Sequence, residues 1–264
     1  MHALAPIEPD EIPITPSAER WRAMSPADRD AHLLEVFAAL EREELRAAEG
    51  LRHFKSKVGA LSTLKGHFSR VGRKVFLACE LAVLYPGERA FAPDLLAVLD
   101  VESPDDDDRD CWSVVDEGRG PDLVLEVHYK GDKTKDLVSN VARYARLGIP
   151  EYFVYDRAGQ KLYGYRLRGG RYVTLTARLG QLGSEVLGLS LGILGGRLRF
   201  FSGDAMIPEH DEILGRLEQV IDEREREIAS ETRAREEAER AREEAQARVA
   251  ALEAELAELR ARLR

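Results

Sequence analysis

Apolar positions along this chain change period near Arg73 and again near Pro208, and those changes divide it. Ser25-Pro26 reads as a helix N-cap followed by proline at the first helical position. Leu33, Leu34, Phe37 and Leu40 then recur at helical spacing, and further helix is expected within 42–72. From Arg73 the pattern shortens. Val75 to Tyr85 is an apolar run closed by Pro86-Gly87; its length admits helix or strand, and its β-branched and aromatic content favours strand. Pro93 to Asp100 predicts a second strand, and Asp122 to Tyr129 a third, with the acidic run Asp105 to Asp108 between them. Residues 133–147 predict an amphipathic helix burying Leu137, Val141, Tyr144 and Ala145, ended by Gly148 and Pro150. Tyr152 to Tyr155 predicts a strand, and a hairpin follows from Lys161 through Gly169-Gly170 to Leu175. Strand, helix and strand across 122–156 form a βαβ-like unit inside a mixed sheet. The expected class is α/β (α+β).

The tail has a different period. Leu214, Ile221, Ile228, Arg235, Arg242, Val249, Leu256 and Leu263 fall on a positions, with Leu217, Arg224, Glu231, Ala238, Ala245, Leu252 and Leu259 on d. The two ends of this seam are apolar, while its middle offers charges and alanine. Pairing as a coiled coil, with a second copy or another partner, is one reading. A solvated single helix held by charge pairs four residues apart is the other. The expected organisation is a flexible arm over 1–20, a folded domain over 21–208 and a coiled-coil helix over 209–264.

Charge refines this picture. The chain carries a net charge of −9, and the segment from Glu209 on holds 17 acidic and 11 basic residues. Residues 1–208 are therefore close to neutral, without the broad basic field that announces nucleic-acid binding, so any such function must rest on a local site. Cys79 and Cys111 belong to no CxxC pair, which excludes zinc-ribbon and thiol-redox motifs and suits reduced thiols. No secretory leader or membrane-spanning apolar run is legible, so a soluble, cytoplasmic protein is expected. No G-x-S-x-G, H-E-x-x-H or P-loop pattern occurs.

The candidate chemistry lies in two acids. Asp94 opens the second predicted strand, and Glu126 interrupts the apolar run Leu123-Val124-Leu125-x-Val127 of the third. A carboxylate inside such a run requires a partner. Two acids on one sheet face bind a hard divalent cation; a salt bridge to an arginine or lysine from elsewhere would satisfy Glu126 equally. The acidic run 105–108 reads as a solvated loop, and Glu80 either extends the cation shell or serves structure.

These residues resemble a known family. FAPDLLAVLD, then GPDLVLEVHYKGDKTKDLVSNVARYARLGIPEYFVYD, then a tyrosine-containing hairpin resemble the Uma-two family of restriction-endonuclease-like proteins over roughly residues 75–200. The resemblance implies a PD-(D/E)XK fold, a mixed central sheet flanked by helices, with Asp94 as the first acid and Glu126 as the second. It implies a Mg²⁺- or Mn²⁺-dependent endonuclease acting on DNA, the metal held by Asp94, Glu126 and the Val127 carbonyl. The superfamily pattern places lysine two residues after the second acid, where this chain has His128. Many family members carry it in the following helix instead, at the place of Asn140. His128 is one replacement; Lys130, about 13 Å along the strand from Glu126, and Lys133, on a helical stripe with Asp136 and Asn140, are others. Lys133 and Lys135 lie near a helix N-terminus, which favours phosphate. The alternative is a catalytically impaired nuclease fold that binds or scaffolds through its coiled coil.

Overall fold

The change of period at Arg73 marks the passage from helices to sheet in the computed structural model, which describes residues 12–46, 51–102, 109–129 and 133–262. The chain divides into two compact units, Met1–His210 and Asp211–Arg264. Three helices open the first: α1 (Ala18–Ala23), α2 (Pro26–Arg46) and α3 (Leu51–Val71). The Ser25 hydroxyl accepts from the Asp28 N–H at 3.2 Å, capping α2. The buried face of α2 is Val36, Ala39 and Leu40, joined by Leu33 and Phe37. Leu34, expected on that face, is 68% exposed because its position rotates outward by one helical step.

Strands β1 (Val75–Ala78), β2 (Ala82–Leu84), β3 (Leu95–Leu99) and β4 (Cys111–Ser113) follow, then the short helix α4 (Val114–Glu117) and β5 (Leu123–His128). A π-helical turn over Lys135–Ser139 leads into α5 (Asn140–Arg146). β6 (Glu151–Asp156), β7 (Lys161–Arg168) and β8 (Arg171–Thr174) complete a six-stranded sheet ordered β1-β3-β5-β6-β7-β8. Within it β5 and β6 pair in parallel and the other neighbours antiparallel, so this central sheet is mixed. β9 (Gln181–Ser184), β10 (Leu189–Leu194), β11 (Arg197–Ser202) and β12 (Ala205–Met206) form a second, antiparallel sheet that adds to the predicted elements.

Alternation along the strands separates two cores. Leu95, Ala97 and Leu99 of β3, with Leu123, Leu125 and Val127 of β5, face Ala60, Leu64 and Phe68 of α3 together with Leu189, Leu191 and Phe200 of the second sheet. Leu96, Val98, Val124, Tyr152 and Val154 face the other way, toward Tyr144 of α5 and Ile149. Tyr152, Tyr165 and Tyr172 stack on that side with ring centroids 5.8 to 6.3 Å apart.

Several expectations are corrected. Val75 to Tyr85 is not one strand: Glu80 takes a left-handed conformation (φ 56°) and donates its N–H to Pro93 O at 2.9 Å, so the chain leaves the central sheet and β2 pairs in parallel with β4. Asp94 precedes β3 rather than opening it. Residues 12–20 are no free arm, because Ile14 bridges Arg89, Thr15 exchanges backbone hydrogen bonds with Gly87 and Glu88, and α1 starts at Ala18. The rest of the expected arm (1–11), the acidic run 105–108 and Lys130 lie outside the described residues.

The second unit is helical. α6 (His210–Arg262) runs 53 residues and exposes Leu214, Leu217, Ile221, Ile228, Val249 and Leu252. Among the described residues, no helix is long and apolar enough to cross a membrane.

Candidate active site

Register brings the two acids together. β3 and β5 pair antiparallel with Leu95 opposite Leu125, so the next pair outward is Asp94 and Glu126. The Asp94 N–H donates to Glu126 Oε2 at 3.3 Å, and Asp94 Oδ2 accepts from the Val127 N–H at 2.6 Å. Glu126 Oε1 accepts from the Tyr144 hydroxyl at 2.9 Å. The described hydrogen bonds to this carboxyl thus come from neutral groups. Burial, followed by the negative charges of Asp94 and Asp136, raises the Glu126 pKa well above the ordinary carboxylate value, and Lys135 offsets this in part.

Two further side chains reach Asp94 from α3. His53 Nε2 lies 2.7 Å from the Val127 carbonyl oxygen and 3.3 Å from Asp94 Oδ2. Lys57 is 2% exposed; its ammonium contacts Glu80 and stands 3.9 Å from Asp94 Oδ1. Burial lowers the His53 pKa, but the hydrogen bond and charge of Asp94 outweigh it and leave the imidazole above its usual value. Neither residue was singled out by sequence reasoning, although a signal exists. His53, Lys57, Ala60, Leu64 and Phe68 follow one another at spacings of four, three, four and four, so both continue the buried stripe of α3 toward its N-terminal end.

The expected lysine replacements are arranged differently. His128 is buried beside Glu126's strand position, with Nδ1 3.0 Å from Asp136 Oδ2. Lys133 does not join the acid pair, because its ammonium contacts the buried Asp156 at the end of β6. Asn140 is buried. Among the described residues, Lys57 is the lysine beside Asp94.

Among the described residues, no three His, Cys, Asp or Glu side chains form a ready-made metal cage. The donor chemistry nevertheless suits a hard cation: two carboxylates and a main-chain carbonyl, with a half-buried Glu126 whose described hydrogen bonds come from uncharged donors. In that sense the residues present fit a divalent ion.

A mixed sheet flanked by helices, with two acids meeting across adjacent strands, defines a nuclease-like α+β protein. The chain belongs to the Uma2 family, described as "Putative restriction endonuclease", which matches residues 38–196. Among solved structures it is similar to a protein described as a putative nuclease belonging to DUF820 from Anabaena variabilis ATCC 29413, at 13% identity and a TM-score of 0.42, over 53% of this chain and 75% of that one. No curated protein matches it.

Proposed function

We propose that this chain is a Mg²⁺- or Mn²⁺-dependent endonuclease that hydrolyses phosphodiester bonds in DNA. The observation that carries the reading is the meeting of Asp94 and Glu126 across β3 and β5, beside the Val127 carbonyl. Asp94, Glu126 and Val127 would hold the ion, which when bound neutralises phosphodiester charge and makes water a better nucleophile. Tyr144 fixes the Glu126 carboxyl through its hydroxyl. Lys57 supplies a fixed positive charge at Asp94, the role that the pattern gives to a lysine where this chain has His128 or Asn140. Asp136 orients the His128 ring through Nδ1. The purified full chain should cut plasmid DNA with Mg²⁺ or Mn²⁺, and Glu126→Ala should abolish cutting; equal cutting by both proteins would identify a contaminant.

A second reading is a non-catalytic nuclease fold acting as a binding or scaffold module. It is favoured by His128 and Asn140 at the two lysine positions. Calorimetry separates the two, since a scaffold takes up neither ion at millimolar concentration. In both readings α6 pairs with a second copy through its exposed Leu214, Leu217, Ile221 and Ile228. Cys79 and Cys111 form no disulfide, in keeping with a cytoplasmic setting.

A further inference from the structure

We infer that α6 pairs with a second copy of itself antiparallel, in the register that sets Arg242 of each helix against Glu231 of the other. The inference rests on the pairing proposed above and adds its direction and register.

Charges within the seam carry the argument. The a and d positions from Leu217 to Leu252 are exposed along α6 and offer one continuous stripe. In a parallel pair each a or d residue faces its own counterpart. Arg224, Glu231, Arg235 and Arg242 would then each meet the same charge within one seam. A charge held there loses water without gaining a partner. In an antiparallel pair an a position faces a d position instead. With Ile221 set against Leu252, Ile228 meets Ala245, Arg235 meets Ala238 and Arg242 meets Glu231. Val249 meets Arg224, whose aliphatic stem can lie along it while the head group reaches water. Each opposed pair recurs by two-fold symmetry, and no layer of this stretch is left with like charges.

The same charges select the register. Sliding the helices by one heptad in one direction sets Arg242 against Arg224. Sliding them the other way sets Glu231 against Val249 and Arg242 against Ala238, so the seam holds both charges unpaired. The register above alone of the three opposes Glu231 to an arginine without opposing two arginines. Ion pairs at the flanks weigh less, because they stay in water. A parallel pair would gain Arg248 with Glu253, and the antiparallel one gains Glu227 with Arg248.

The test uses the full-length chain with Cys79→Ser and Cys111→Ser. Copies carrying Ile221→Cys and tagged copies carrying Leu252→Cys are mixed, allowed to exchange and oxidised. A mixed disulfide between the two is expected to dominate. Self-linked dimers in excess would overturn the antiparallel register and leave pairing standing. Charge exchange supplies a second arm that keeps both native cysteines. Arg242→Glu should weaken the dimer about tenfold or more in sedimentation, since it opposes two acids. Adding Glu231→Arg should restore the wild-type dissociation constant. In a parallel pair neither change alters which layers hold like charges, so equal constants for all three proteins also overturn the inference. A wild-type chain that stays monomeric at every concentration overturns the pairing and the inference together.

Discussion

At the scale of single residues, the polar side chains around β5 and β6 divide their work. Lys133 directs its charge to Asp156, a fully buried carboxylate that also accepts the Gly159 N–H at 2.8 Å. Burial pushes the Asp156 pKa up, but the hydrogen bonds from Lys133 and Gly159 and the nearby positive charge outweigh it, and the pKa lies below its ordinary value. The unfolded chain therefore takes up this proton before the folded one does. The stabilisation is complete above the ordinary aspartate value and is lost as pH falls through the depressed one, below about pH 4. Thermal melts from about pH 6 to pH 3 should show the wild type losing stability more steeply below about pH 4 than Asp156→Asn. Parallel curves would mean that the Lys133 contact contributes nothing through titration.

At the scale of elements, α3 supplies what the strands lack. Lys57 lies in its buried stripe, where a charge is costly unless it serves a neighbouring acid. Lys57→Met keeps the length of the side chain and removes the charge. Cleavage of supercoiled plasmid is expected to slow about 10²-fold while Mn²⁺ binding persists; cleavage at the wild-type rate would remove Lys57 from the chemistry. Asp94 and Glu126 were legible in the sequence because each interrupts or abuts an apolar run that fixes the strand around it. His53 and Lys57 were not, because they meet Asp94 across 41 and 37 positions of chain, a pairing no local pattern encodes. The stripe that carries them was readable, but a polar residue on it looks like a helix end until the sheet is in place. The break at Glu80 was hidden for a similar reason: β2 finds its partner in β4, beyond the next strand in sequence. The second sheet had a legible alternation, Leu189-x-Leu191 and Leu198-x-Phe200, interrupted by glycines at 192, 195 and 196.

At the scale of the whole molecule, the question is what stabilises α6. Its 53 residues amount to about 80 Å of helix at 1.5 Å per residue. Leu214, Leu217, Ile221 and Ile228 near one end, and Val249 and Leu252 toward the other, are exposed while keeping one heptad phase. The residues between them put Arg235 and Arg242 on a positions, where helices paired in parallel would bring like charges together. In a paired α6 the apolar ends would drive association and the middle would weaken it, so the two kinds of substitution should act in opposite directions. Ile221→Lys with Ile228→Lys in the full chain should shift sedimentation from dimer to monomer. Arg235→Leu with Arg242→Leu should tighten pairing and raise the helix melting temperature. A wild-type chain that sediments as a monomer at every concentration, with neither pair of substitutions changing that, would leave α6 a solitary helix held by its own charge pairs.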